Sequence, residues 1–291
     1  MTLSISAPYE ALEDLFTKGK LKQALEFLTV FTLSIVNDPA ALGQVFSSPT
    51  LDDFCQRIGA TSLATTKKNR GDGMEPSHTA EVIILATELH ALGGHSRVVE
   101  DLVRTRPDHK HLILLTNAYN SPAQFDTARY TRLGATLHVA DSSNLHEKLR
   151  WVQAHLSQHP NAEVLVFNHH ADAVAIAAIQ PGLNREVVFH HHCDHQLSLG
   201  ASLSWPRHFD YVDVLTQRCR SAGLTPEILP LSVPRQSPRA HTQESFMRGG
   251  GIKTCSSGTA NKFLAPALYP YWEVLPLILK ASGGEHIHIG A

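Results

Sequence analysis

The densest chemistry in the chain lies in Phe189-His190-His191-His192-Cys193-Asp194-His195-Gln196-Leu197-Ser198-Leu199-Gly200. Imidazole exchanges protons near neutral pH and ligates transition metals, and a nearby carboxylate can orient it. If the run enters on a strand, side chains alternate, so His190 and His192 share one face and His191 takes the other. His192, Asp194 and His195 are then the candidates for positioning a hydroxyl or taking its proton. An HxH pair joined by Asp194 or His195 has the donor types for zinc. No second ligand pair at a recognised spacing accompanies it, although His169-His170 closes another strand-like run, and no metal ligand is assigned. A buried polar network without chemistry accounts for the same residues.

Two loop sequences add binding chemistry. In Glu88-Leu89-His90-Ala91-Leu92-Gly93-Gly94-His95-Ser96-Arg97 a strand gives way to a glycine pair and then a helix. Glycines allow a sharp turn and close approach of a ligand to the backbone, and the first N–H groups of a helix attract anions or ligand oxygens. Gly93, Gly94 and His95 are the substrate-binding candidates. The dinucleotide fingerprint GxGxxG is absent, and a tight turn with no ligand fits equally well. In Thr254-Cys255-Ser256-Ser257-Gly258-Thr259-Ala260-Asn261-Lys262-Phe263, small hydroxyl residues and a glycine precede a lysine. Backbone N–H groups and hydroxyls can hold a diphosphate while the lysine neutralises charge, which makes Ser257, Gly258 and Lys262 the candidates. The order is not that of a Walker A loop, and an ordinary loop with a surface lysine is the plain alternative.

Alternating strands and helices must position these groups. Candidate strands are Val82–Thr87, Leu112–Asn117, Thr136–Ala140, Glu163–Phe167, Glu186–His190 and Tyr211–Thr216. Helix-length segments at 95–105, 121–133, 143–158 and 171–179 separate them. This rhythm predicts a Rossmann-like doubly wound parallel sheet, and apolar runs such as VIIL and LILL fit strands covered on both faces. Residues 8–36 have three- and four-residue apolar spacing broken at Gly19-Lys20, and a short helix follows at Leu51–Ile58. The stretch GKLKQALEFL resembles one helix of a tetratricopeptide hairpin, but it occurs once, so residues 1–60 are read as a helical cap on the next domain. The polar, breaker-rich residues 61–80 read as a linker, 81–235 as the Rossmann-like domain, 236–251 as a second linker, and 252–291 as the start of another α/β domain. The last has a helix near Tyr271–Ala281 and a strand at His286–Ile289. Some forty residues cannot cover their own sheet, so this domain is expected to be cut short.

Composition narrows the class. The chain has 291 residues, 43% hydrophobic and 18% charged, with a formal net charge of −2, which gives no electrostatic footprint for nucleic acid. No apolar run is long enough to span a bilayer. The 4 cysteines form no CxxC pair, so a reducing cytoplasmic location is expected. Histidine, at 19 residues, is the compositional excess.

Taken in order, ELHALGGHSRVVEDL, HHHCDHQLSLG and SSGTANKF resemble segments of bacterial glycosyltransferases of the GT-B fold, over roughly residues 80–291. The resemblance implies two Rossmann-like domains facing each other across a cleft. The first carries the acceptor, a saccharide, lipid or protein; the second binds a nucleotide-sugar as co-substrate, with no metal or other cofactor. Gly93, Gly94 and His95 would shape the acceptor side, His192, Asp194 and His195 would position or move a proton, and Ser257, Gly258 and Lys262 would hold the donor diphosphate. The distal acidic donor segment of that family is missing, so a truncated chain with little transferase activity of its own is expected. Two other readings stand beside it. One is a metal-dependent hydrolase using the histidine clusters; the other is a non-enzymatic module whose amino-terminal helices dock a protein partner.

Overall fold

The computed structural model describes residues 6–38, 40–41, 43–70, 80–91, 93–121, 127–191, 196–229, 253–257 and 271–289. Residues 1–231 form one unit and 232–291 another. The first opens with α1 (Ser6–Thr17), α2 (Leu21–Val36) and α3 (Pro49–Arg70). Then follow β1 (Val82–Ala86), α4 (Gly94–Thr105), β2 (His111–Leu115), α5 (Thr127–Thr131), β3 (Thr136–Val139), α6 (Leu145–Gln158), β4 (Glu163–Phe167), α7 (Ala173–Ala178) and β5 (Glu186–His191). It closes with β6 (Arg207–Asp210), α8 (Asp213–Ser221) and β7 (Glu227–Ile228).

The strands make one sheet in the order β3-β2-β1-β4-β5-β6-β7, and every neighbouring pair is parallel. This is the doubly wound α/β architecture expected from the alternating rhythm. Chain direction across the sheet reverses between β1 and β4, which is the topological switch point of such a fold. β1 and β2 are buried along their whole length because helices cover both faces. On one face Val82, Ile84, Ala86, Ile113, Leu115, Leu165, Phe167 and Val188 pack with Val99 and Val103 of α4 and Tyr130 of α5. On the other, Ile83, Leu85, Leu112, Leu114, Val164, Val166, Val187 and Phe189 belong to a larger core with α6 and α7.

That larger core also takes in Leu12, Leu25, Leu28, Leu51, Phe54 and Ile58, so α1–α3 are built onto the sheet domain as a further layer. The closest join is between α3 and α7. All six residues of α7, Ala-Val-Ala-Ile-Ala-Ala, are buried, and its small side chains admit α3. Its carbonyl end, which has no intrahelical partners, is answered by α3: Gln56 Nε2 donates to the oxygens of Ile176 (2.7 Å) and Ile179 (3.1 Å). Gln180 Nε2 returns a bond to the Gln56 oxygen at 3.2 Å. Gly59 sits at the contact, where a β-carbon would stand 1.8 Å from the Ala177 oxygen.

Two expectations are corrected. Residues 61–70, read as the start of a linker, continue α3 to Arg70. Their threonines are compatible with helix because Thr61 Oγ1 donates to the Arg57 oxygen and Thr65 Oγ1 to the Thr61 oxygen, both at 2.9 Å. The strand expected at Tyr211–Thr216 is β6 at Arg207–Asp210, and the apolar VDVL run starts α8 instead. The misreading has a cause: His208 and Asp210 are buried polar residues, so the strand lacks the apolar alternation that marks its neighbours. Smaller differences are α3 beginning at Pro49 and the short β7, which was not expected. Residues 71–79 of the first linker, 122–126 of the expected 121–133 helix, and the second linker lie outside the described residues.

The second unit holds β8 (Lys253–Ser257), α9 (Tyr271–Ser282) and β9 (Glu285–Ile289), with β8 and β9 parallel. Large apolar side chains there stand exposed, Leu277, Ile287 and Ile289 among them.

Because a backbone oxygen cannot retreat from it, an added methyl at Gly59 must separate α3 from α7. Gly59→Ala is expected to lower unfolding free energy by about 3 kcal/mol or more, measured by urea denaturation, as overpacking against backbone does. An unchanged midpoint would show that the two helices are not in this register.

Candidate ligand site at the carboxyl ends of the strands

Open α/β sheets bind ligands beyond the carboxyl ends of their strands, beside the switch point. Here that place is framed by the segments following β1, β2 and β4. At its base lies Asp172, fully buried. Its Oδ2 accepts hydrogen bonds from Thr87 Oγ1 (2.7 Å) and Thr116 Oγ1 (2.5 Å), the residues just after β1 and β2. Its Oδ1 accepts from the Ala175 N–H at 2.9 Å and so caps α7. Thr87 Oγ1 in turn accepts from the His169 N–H at 2.7 Å. Burial raises the Asp172 pKa, against the pull of those three donors.

Above this base stands a second carboxylate. Glu88 is 5% exposed, accepts from Ser121 Oγ at 2.6 Å and pairs with His90 Nε2 at 2.9 Å. His90 itself is half in solvent, with 52% of its side chain exposed. Lys148 reaches in from α6, buried, and donates from Nζ to the Asn117 oxygen. Burial lowers its pKa, while Asp172, Glu88 and Asp141 pull it back up. Asn117 holds a left-handed backbone, φ 44°, a conformation Asn accepts more readily than most residues.

The rim carries the glycine pair. Gly93 adopts φ 150°, and Gly94 begins α4. A β-carbon on either would meet nothing within 4 Å, so protein packing does not demand a glycine at Gly94. The bare backbone faces open space at a helix start, where N–H groups lack intrahelical partners. His95 is half-buried, its ring 5.5 Å from that of His169, which lies 6.0 Å from Tyr119 in a stacked arrangement. Burial, with the neighbouring His169 and His170, depresses the His95 pKa to about 3, and burial lowers that of His169 too. Both therefore serve as neutral hydrogen-bonding rings.

His190 and His191, the described part of the histidine run, alternate between the two faces as a strand requires. His190 joins the α4 face, stacked on Phe167 at 4.2 Å and Phe209 at 5.7 Å, with Tyr211 Oη 3.2 Å from its Nδ1. Burial lowers its pKa to about 3. His191 turns to the other face, Nδ1 3.2 Å from Cys219 Sγ. His192, Asp194 and His195 lie outside the described residues, as do Gly258 and Lys262; the backbone of Ser257 ends β8. Gly93, Gly94 and His95 do come together at the switch point. Asp172, Glu88, His90 and Lys148 were not singled out from the sequence. Their signal was present: VIILA and HLILL are each followed by Thr, and Asp172 stands where a helix cap belongs.

A cavity of about 570 Å³ lies at the opposite end of the sheet. It is lined by His109, His111, His138, His155 and His159 with Lys110, at the amino ends of β2 and β3. Gly134, a turn glycine at φ 86°, lines it, but no helix start among the described residues does, so volume alone does not make it the better site. Compared with known proteins, the chain matches no family model and no curated protein. No helix among the described residues is long and apolar enough to cross a membrane.

Two predictions follow from the buried polar groups. Asp172→Ala strands hydroxyl and amide donors in the core and is expected to cost about 3 kcal/mol or more, whereas Asp172→Asn keeps an acceptor for the cap and should cost about half as much; equal losses in urea melts would contradict this. The second concerns pH. His95 and His190 have folded pKa values near 3, below the roughly 6.5 of an unfolded chain. The unfolded state then binds more protons between those limits, so their contribution is full above pH 6.5 and is lost as pH falls toward 3. Asp52, raised to about 6 by burial, opposes them below pH 6. His190→Phe, flanked by phenylalanine rings, should flatten the stability loss between pH 7 and pH 5 by about 1–2 kcal/mol. A slope identical to wild type would show that His190 already titrates in the native state.

Proposed function

We propose that the chain belongs to a sugar-transferring enzyme using a nucleotide-sugar, with the switch-point site of the first unit receiving the acceptor. The observation that carries this reading is the Glu88–His90 pair beside the open Gly93-Gly94 turn. An acceptor hydroxyl must lose a proton as it attacks the anomeric carbon. A histidine held near pKa 3 is too weak a base for that at neutral pH, which sets His95 and His190 aside. His90 is reachable, and the carboxylate at 2.9 Å orients its ring. Ser121, His95, His169 and the α4 N–H groups supply neutral donors and acceptors suited to hydroxyls. Lys148 supplies a positive charge below them.

In this reading the proton passes to His90, the new glycosidic bond forms, and the diphosphate leaves with the bonding electrons. Ser257, Gly258 and Lys262 hold the diphosphate, and His192, Asp194 and His195 position the acceptor or assist the proton. The lack of GxGxxG disfavours a dinucleotide in the same place. The apolar stripes of α1–α3 are turned onto the domain itself, which supports a cap over a docking module.

The test is sugar transfer from labelled nucleotide-sugars to a mixed panel of saccharide and lipid acceptors, run alongside acceptor binding by calorimetry. Gly94→Ala should leave thermal stability unchanged yet weaken acceptor binding tenfold or more, because the methyl fills the space a ligand needs. The wild-type chain is expected to transfer slowly, and His90→Ala should retain acceptor binding and lose that transfer down to the no-enzyme rate, as removal of a general base does. Wild-type-like binding by Gly94→Ala and transfer by His90→Ala would overturn the assignment.

A further inference from the structure

At the carboxyl ends of β5 and β6, away from the Glu88–His90 pair, three side chains of different chemistry converge. His191 comes from β5, Asp210 from β6 and Cys219 from α8, and all three are buried. His191 Nδ1 lies 3.2 Å from Cys219 Sγ and 3.5 Å from Asp210 Oδ1, and Cys219 Sγ lies 3.6 Å from Asp210 Oδ1. For a tetrahedral ion with bonds of about 2.3 Å to sulfur, 2.05 Å to nitrogen and 2.1 Å to oxygen, the corresponding edges are about 3.6, 3.4 and 3.6 Å. The side chains thus already stand close to one face of such a tetrahedron. Two ligating atoms have neighbours on the same groups that are unsatisfied: Asp210 Oδ2 and His191 Nε2 are buried with no hydrogen-bond partner among the described residues.

We propose that His191, Asp210 and Cys219 form a binding site for one divalent transition-metal ion of the zinc class, which fastens α8 to β5 and β6. Neutral imidazole, thiolate and carboxylate carry two negative charges together, so a divalent ion makes the buried cluster neutral. The same donors without an ion leave a carboxylate in the core whose second oxygen has no partner among the described residues. The donor set, one sulfur, one imidazole nitrogen and one carboxylate oxygen, suits zinc and cobalt and poorly suits magnesium or calcium. The fourth position is left for water or another donor. The site is distinct from the HxH arrangement considered from the sequence, because strand alternation sends His190 to the other face.

The chain is rich in histidine, so metal uptake alone is not a sufficient readout. The experiment is titration of the chelator-treated full-length chain with cobalt(II), following the thiolate-to-cobalt charge-transfer band in the near ultraviolet. The expected result is a band that saturates at one equivalent, persists in Cys193→Ala and Cys255→Ala, and is abolished in Cys219→Ser and His191→Gln. Zinc should raise the melting temperature of wild type and not that of Cys219→Ser. A band that survives Cys219→Ser, or that disappears in Cys193→Ala, overturns the proposal. X-ray absorption at the zinc edge of the wild-type protein keeps the test independent of variant folding: one sulfur ligand supports the site, and a shell of nitrogen and oxygen alone sinks it.

Discussion

The sheet's carboxyl edge depends on how a buried carboxylate is satisfied. Asp172 has lost its water, and a fully desolvated carboxylate is costly unless donors replace the hydration shell. The replacements come from three places in the chain: hydroxyls of Thr87 and Thr116 and the first turn of α7. Meeting Asp172's need therefore fixes where the chain leaves β1, where it leaves β2, and how α7 departs from β4. These are the three segments whose side chains frame the switch point. The His169 N–H bond to Thr87 extends the same network to the residue whose ring meets His95. The positions of the candidate ligand groups are consequences of one electrostatic requirement placed under them.

A second buried carboxylate does the corresponding work between α3 and the loop beyond β5. Asp52 accepts the N–H of Gly200 at 2.6 Å and both the N–H (3.0 Å) and hydroxyl (2.5 Å) of Ser202. It anchors the amino-terminal layer to the loop that follows the histidine run. Asp52 near the amino end of α3, and Gln56 and Gly59 near its middle, thus tie this layer to the sheet domain. Removing α3 would strip apolar cover from α7 and leave donors of the 200–202 loop without their acceptor. This is why the helices behave as part of the domain.

The alternation of strands and helices was legible because apolar periodicity reports burial directly, and β1, β2, β4 and β5 are buried runs with sharp polar ends. β6 was not legible, since His208 and Asp210 are buried by virtue of specific partners: His208 Nε2 on the Leu203 oxygen at 2.6 Å, Asp210 beside His191 and Cys219. Periodicity has no term for a polar residue whose partner lies elsewhere in the chain. The glycine turn was legible as a turn, and the site around it only in part. Glu88 and His90 are two residues apart in sequence, between the strand and the glycine turn; their meaning appears once Ser121, 33 residues away, closes on the same carboxylate.

The excess of histidine then resolves into separate physical situations. Some rings, such as His95 and His190, are held neutral by burial and aromatic packing, and these give shape and hydrogen-bonding capacity without charge. His155, its ring 4.3 Å from Trp151, is likewise depressed by burial, at the amino end of the sheet. His90 is different in kind: half in solvent, with its ring tied to a buried carboxylate. Proton transfer needs both access and a partner for the charged form, and burial removes the first while an apolar wall removes the second. A count of histidines therefore says little about chemistry. The environment of each ring sorts them, and it sets the one backed by Glu88 at the mouth of the switch point, above the network that Asp172 organises.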